Sequence, residues 1–210
     1  VRIIGDAKLR YQEDPVRMLR AIRFAAKLDF EIEAETAAPI KEMAHLLDHI
    51  PPARLFEEVL KLLGSGYGVT TYKLLREYGL FRYLFPEADE LIRSNWQRPD
   101  INTEDFILQG LINTDKRIAE GKTAPYFLYA FLLWPKVLFR HEEFMAQGLP
   151  ATPALHQAAS LVLDNQVTAT SIPRRFSTPM REIWDLQFRL SKRFGKRAYI
   201  LEQHPRFRAA

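Results

Sequence analysis

The chain has 210 residues, 47% of them hydrophobic, which is enough to bury a substantial core in one or two units. It contains no cysteine, which excludes a disulfide scaffold, a thiolate nucleophile and thiolate metal sites. The formal charge of +4 is unevenly placed: residues 174–210 hold eight Arg and two Lys against Glu182, Asp185 and Glu202, a local +7 that leaves −3 for the rest.

The opening "VRIIGDAKLR" reads as a short strand-like run followed by charge, with no secretory signal. It lacks an initiating methionine, so preceding chain is expected. Asp14-Pro15 then marks a helix start, Asp as N-cap and Pro at the first helical position, and a helix is predicted over 15–28. At about 100° per residue Arg17, Arg20, Arg23 and Lys27 fall on one side, while Met18, Leu19, Ala21, Ile22, Ala25, Ala26 and Leu28 cover the remainder. A helix buried over most of its circumference must aim such a stripe at a watery groove, at acidic partners or at an anion. Asp14 and Arg17 admit two readings. A carboxylate accepts from an exocyclic amine and a guanidinium donates to ring nitrogens and carbonyls, so a pair one turn apart can meet the Watson–Crick edge of adenine or cytosine. The alternative is a helix cap beside a surface arginine.

Further helices are predicted over 35–49, 53–63, 69–79, 103–120, 126–147, 152–168 and 178–202, separated by short Gly/Pro punctuation such as "HIPPAR" and "AQGLPATP". Connections this short pack neighbouring helices together, so the fold class is all-α. The polar stretch Asn95 to Glu104 is the first internal boundary and Ser171 to Pro179 the second. In 53–63, Arg54, Glu58 and Lys61 share a face, and the row either pairs within its helix or braces the neighbouring helix start. "GSGYG" (64–68) lacks the Gly-Lys-Ser/Thr ending of a phosphate loop and reads as a helix C-cap and turn. Pro125 to Leu138 is the richest apolar stretch; it is shorter than the roughly 20 residues of a membrane span, interrupted by Pro135, and reads as a buried helix. His45 and His49 are four apart without the glutamate of a zinc protease motif, and no Asp-x-Asp pair occurs, so neither a metal site nor a catalytic constellation is expected here.

The basic end interleaves its cations with Phe176, Trp184, Phe188, Phe194, Tyr199 and Phe207. That mixture suits single-stranded RNA, whose bases stack and whose phosphates need neutralising; it also suits a solvated basic helix. Trp184, Phe188 and Leu190 fit an apolar helix face, which leaves Arg174, Arg175, Lys192, Arg193, Lys196 and Arg197 as the RNA candidates.

"RIIGDAKLRYQEDPVRMLRAIRFAAKL" with "PPARLFEEVLKLL" resembles the class II nucleotidyltransferases, the family of bacterial poly(A) polymerases and tRNA CCA-adding enzymes. The Glu-Asp-x-x-Arg signature stands as Glu13, Asp14, Pro15, Val16 and Arg17, and the helix-stabilising motif that follows as Arg54, Glu58 and Lys61. The tail "REIWDLQFRLSKRFGKRAYILEQHPRFRAA" is similar to the poly(A) polymerase branch. The resemblance implies an all-α neck and body: neck 1–94, body 95–172 and a basic C-terminal segment 173–210, with the sheet-bearing catalytic head outside this chain. It implies that Asp14 and Arg17 contact the nucleotide base, Arg20 and Arg23 contact ribose, phosphate or primer, and Glu13, Arg54, Glu58 and Lys61 support the site. It further implies ATP as substrate and Mg²⁺ in the full-length enzyme, the 3′ ends of mRNA and other RNAs as partners, and a cytoplasmic monomer without a membrane segment. This piece alone is expected to bind no cofactor and to be inactive. A CCA-adding enzyme and a noncatalytic helical RNA- or protein-binding module are the alternatives.

Overall fold

The computed structural model describes residues 1–94, 96–99, 101–190 and 200–209. The opening run, residues 1–6, is neither strand nor helix, and a helix that was not predicted, α1 (Ala7–Glu13), follows it. Asp6 caps it, accepting from the Leu9 amide at 2.9 Å, and the good helix formers Ala, Lys, Leu and Arg carry it forward. Tyr11 on α1 is fully buried and donates to the Thr36 carbonyl at 2.9 Å. The next helix, α2 (Val16–Leu28), begins after Pro15. Asp14 is therefore a joint between two helices, where a simple N-cap was expected. Its amide closes α1 on the Arg10 carbonyl at 3.2 Å, its carbonyl accepts from the Arg17 amide at 3.0 Å, and its Oδ1 accepts from the Val16 amide at 3.3 Å.

The helix predicted over 35–49 is three pieces: α3 (Ala34–Ala37), α4 (Ile40–Met43) and a 3₁₀ turn, Ala44–His49. Pro39 has no amide to continue α3, which separates the first two. Then follow α5 (Pro52–Leu63) and α6 (Gly68–Glu77), close to their predicted bounds. Two further helices fall where none was predicted, α7 (Phe81–Leu84) and α8 (Pro86–Arg93). Both are too short to display a period, although Pro86 with Glu87 and Asp89 in the first turn is a favourable start. The polar linker carries a two-residue antiparallel hairpin, Gln97–Arg98 against Ile101–Asn102, with Arg98 opposite Ile101. The larger helices are α9 (Thr103–Ala119), α10 (Pro125–Ala146), α11 (Ala151–Ala169) and α12 (Arg174–Leu190). The last starts four residues earlier than the predicted 178, and its predicted continuation to 202 crosses residues outside those described. Pro135 does not interrupt α10. Every residue from Leu128 to Leu138 is buried, and packing on all sides outweighs the one hydrogen bond that a proline removes. Among the described residues no helix is long and apolar enough to cross a membrane.

The core is one continuous cluster. Helix α10 packs against α8, α9, α11 and α12, while α2 packs on α5 and α6. A file of rings joins the two groups, Phe176 to Phe56 to Tyr129 to Phe85 to Phe81 to Tyr72, with successive centroids 5.5, 5.4, 5.4, 5.4 and 5.1 Å apart. Polar ties cross the same boundaries. Gln166 donates to the Leu84 carbonyl at 2.7 Å, Trp184 to the Ala130 carbonyl at 2.9 Å, and the Ser171 amide to the Pro52 carbonyl at 3.0 Å.

The α9–α10 crossing depends on one missing side chain. A Cβ at Gly110 would lie 2.3 Å from Phe131 Cδ2, and Phe131 is itself buried. Gly110→Ala is expected to lower stability by about 1–3 kcal/mol through overpacking, despite the better helix propensity of alanine. The urea midpoint reads it; a midpoint at or above the parent's would mean that Phe131 can swing clear.

Candidate nucleotide and RNA site

The joint between α1 and α2 places two acidic side chains among arginines. Glu13 Oε2 accepts from Arg10 Nη1 at 3.0 Å and from Arg17 Nη1 at 3.0 Å. The hydrogen bond from Arg10, reinforced by both guanidinium charges, holds the Glu13 carboxyl below the usual carboxylate range. Asp14 Oδ2 accepts from Arg54 Nη2 at 2.8 Å, so α5 reaches across and fixes the carboxylate at the head of α2. Of the two uses open to the Arg54, Glu58 and Lys61 row, Arg54 takes the brace. Glu58 and Lys61 pair within α5 at 2.9 Å, with Glu58 buried and its Oε2 without a hydrogen-bond partner among the described residues. Asp14 keeps acceptor capacity, because each carboxylate oxygen has two lone pairs, and the five N–H donors of Arg17 exceed what Glu13 uses.

Beside this joint lies a cleft of about 370 Å³, within the range of small-ligand sites. Arg2, Arg10, Arg17 and Arg20 line it, with Phe24 and Ile4 on its apolar wall. Four guanidiniums around one opening favour an anion, and their planar forks match phosphate oxygens. Of the four nucleotide candidates, Arg17 and Arg20 reach the cleft lining, whereas Asp14 and Arg23 do not. Arg23 lies against Phe24, its guanidinium carbon 5.2 Å from the ring centroid. Among the described residues neither Arg20 nor Arg23 has a carboxylate at ion-pair distance. Sequence reasoning missed Arg10. The available signal was Arg10, Glu13 and Arg17 at i, i+3 and i+7, but no helix was predicted ahead of Asp14 to put them on one face.

The "GSGYG" turn is closed to phosphate by the chain itself. The Gly68 amide donates to Asp115 Oδ1 at 2.8 Å and the Val69 amide to Asp115 Oδ2 at 3.2 Å, so a carboxylate from α9 occupies the start of α6. Gly64 closes α5, its amide on the Leu60 carbonyl at 3.0 Å. His45 and His49 stand in the 3₁₀ turn, where residues four apart no longer share a face. Among the described residues no group of three or more His, Asp or Glu side chains is placed to hold a metal ion.

At the basic end, Arg174 and Arg175 are exposed in the first turn of α12. Lys192, Arg193, Lys196 and Arg197, with Phe194 and Tyr199, lie outside the described residues. Three of the basic end's aromatics are packed inward. Trp184 is fully buried, Phe176 lies on Phe56, and the Phe188 ring meets Trp134 at 6.1 Å and His141 at 4.8 Å.

A family model described as "Probable RNA and SrmB- binding site of polymerase A" matches residues 29–92, and one described as "Polymerase A arginine-rich C-terminus" matches residues 147–210. Poly(A) polymerase I of Escherichia coli O6:H1 is 49% identical over 212 residues, covering 100% of this chain and 45% of that protein. The chain belongs to the poly(A) polymerase family. The family's Haemophilus influenzae poly(A) polymerase I is 45% identical over 211 residues, with 100% of this chain and 46% of that protein covered. A CCA-adding enzyme of Geobacillus stearothermophilus is 40% identical over 84 residues, 40% of this chain and 21% of that one. The chain thus spans less than half the length of the poly(A) polymerases it matches. The first family model runs from α3 to α8, a span on which the sequence reading placed no RNA contact.

Proposed function

We propose that this chain supplies the base-recognising and RNA-binding part of a poly(A) polymerase, which adds AMP from ATP to RNA 3′ ends and releases pyrophosphate. The observation that carries the reading is the Arg54-braced Asp14 set beside an arginine-lined cleft. Asp14 accepts from the N6 amine of adenine, Arg17 donates to its N1, and Arg20 and Arg10 neutralise phosphate. Guanine and uracil present a carbonyl where the amine should be, so they set an acceptor against the Asp14 carboxylate. Cytosine offers the same amine-and-acceptor edge as adenine, and this pair alone therefore does not choose ATP over CTP. Phosphoryl transfer in the complete enzyme uses Mg²⁺ as an electrostatic clamp. On this reading the chain's share is binding and orientation, and the metal falls to the rest of the polymerase, of which the chain spans less than half.

On this reading residues 1–94 form the neck, 95–172 the body and 173–210 the basic end. Poly(A) polymerase is favoured over CCA addition because the former relatives match 100% of the chain and the CCA-adding ones 40–46%. The test is extension by the complete polymerase of a generic RNA and of a tRNA lacking its CCA end. Long A tails on both are expected. Growth that stops at CCA, on tRNA alone, would assign the CCA-adding role, and RNA binding without extension would leave only a binding module.

A further inference from the structure

Helix α5 connects two clusters that are far apart in sequence. Its first turn carries Arg54, held to Asp14 at 2.8 Å. That same turn receives the loop before α12: the Ser171 amide donates to the Pro52 carbonyl at 3.0 Å, and Phe176 lies on Phe56 with centroids 5.5 Å apart. Arg174 is three residues beyond Ser171, hence within about 10 Å of it along the chain. The Arg175 guanidinium carbon lies 5.1 Å from the centroid of the Phe176 ring, the ring that itself lies on Phe56 of α5. A guanidinium lying over a ring keeps its N–H edge available for phosphate oxygens. Both arginines are exposed, and among the described residues neither is in an ion pair. The acidic groups near this end are spoken for: Asp14 by Arg54, and Glu13 by Arg10 and Arg17. Glu57 is the exposed carboxylate on α5 that faces solvent nearby.

The geometry points to Arg174 and Arg175 as the entry contact for single-stranded RNA, delivering its 3′ end across the first turn of α5 toward the nucleotide held by Asp14 and Arg17. This rests on the nucleotide reading of those two residues. The pair touches upstream phosphates, so it acts on strands long enough to span from α12 to α2 and not on the shortest primers. Base sequence is irrelevant to it, since a guanidinium on a phosphate reads charge alone.

The test uses the complete polymerase with Arg174→Ala/Arg175→Ala. For a long single-stranded RNA the KM is expected to rise about tenfold, and the slope of log affinity against log salt to shrink by about 1.4, two phosphates at roughly 0.7 each. The KM for ATP and the extension of a dinucleotide primer stay at parent values. Equal truncations at Arg181 and Arg189, farther along α12, change the RNA KM less than the first pair. An unchanged RNA KM and salt slope, or an equal effect from Arg181 and Arg189, overturns the path. Asp14→Ala, assayed beside it, separates the two claims. Lost base choice there with unaltered RNA KM in the arginine variant removes the path alone. Retained base choice with a raised RNA KM removes the nucleotide reading and leaves an RNA contact at α12.

Discussion

Asp14→Ala in the complete polymerase is expected to lower discrimination of ATP against GTP and UTP by about 1–3 kcal/mol, roughly 5- to 150-fold, the usual worth of a two-point base contact. Arg54→Ala acts through Asp14 and is expected to cost less. Arg54 is 43% exposed in its pair with Asp14, and such ion pairs are worth about 0.2–1 kcal/mol. The Val16 amide still holds Oδ1, so the carboxylate loses one of two restraints and not its place. A loss of base choice of about 1.4-fold to fivefold follows, with little change in stability. The double variant should be no worse than Asp14→Ala alone, because a positioning residue has nothing left to position. Selectivity is read as the ratio of kcat/KM for ATP to that for GTP or UTP, with RNA saturating. Additive losses in the double variant would mean that Arg54 touches the nucleotide itself. Unaltered base choice in Asp14→Ala would discard the Watson–Crick role.

Which partner each charge takes was not legible in the sequence, although the charges themselves were. Glu58 is four residues from Arg54 and Asp14 is forty away, so helix spacing favours the local pair. The packing of α2 on α5 reverses that preference, and Glu58 turns to Lys61. The same limit hid Asp115, whose carboxylate closes the start of α6 from 47 residues away. Long periodic segments such as α2, α5, α10 and α11 were readable because a wide apolar face repeats over several turns. Helices α1, α7 and α8 were not, being only 7, 4 and 8 residues long. For these, tertiary contacts do what periodicity cannot signal: Tyr11, Phe81, Leu84 and Ala88 each enter the common core. Arg10 was lost with α1, and with it a wall of the cleft.

Lys136 carries the largest expected effect on stability. It sits in the middle of α10 at 2% exposure, its Nζ 2.8 Å from Glu90 Oε2 and 3.9 Å from Glu87 Oε1. Burial raises the Glu87 carboxyl above its ordinary range, against the Asn165 hydrogen bond and the charges of Lys136 and Arg140. Glu87 is thus costly to ionise even with its cations in place. Lys136→Ala removes one of them and opens a cavity beside α8, for an expected loss of about 3–5 kcal/mol. Lys136→Met keeps most of the volume and isolates the electrostatic part. In that variant folded Glu87 holds its proton still more tightly than the unfolded chain does. The folded state then binds more protons across the window between the unfolded carboxylate value and the raised folded one. Stability therefore falls as pH rises through the Glu87 range, and the deficit against the parent should be larger at about pH 8 than at about pH 5. Lys136→Met/Glu87→Gln takes away both charges and should recover most of the loss, since a buried pair replaced by neutral groups of similar shape often costs nothing. Urea midpoints at the two pH values decide it. A Lys136→Met deficit that is the same at both, or a double variant weaker than the single, would show that Lys136 stabilises α10 by packing and not by meeting Glu87.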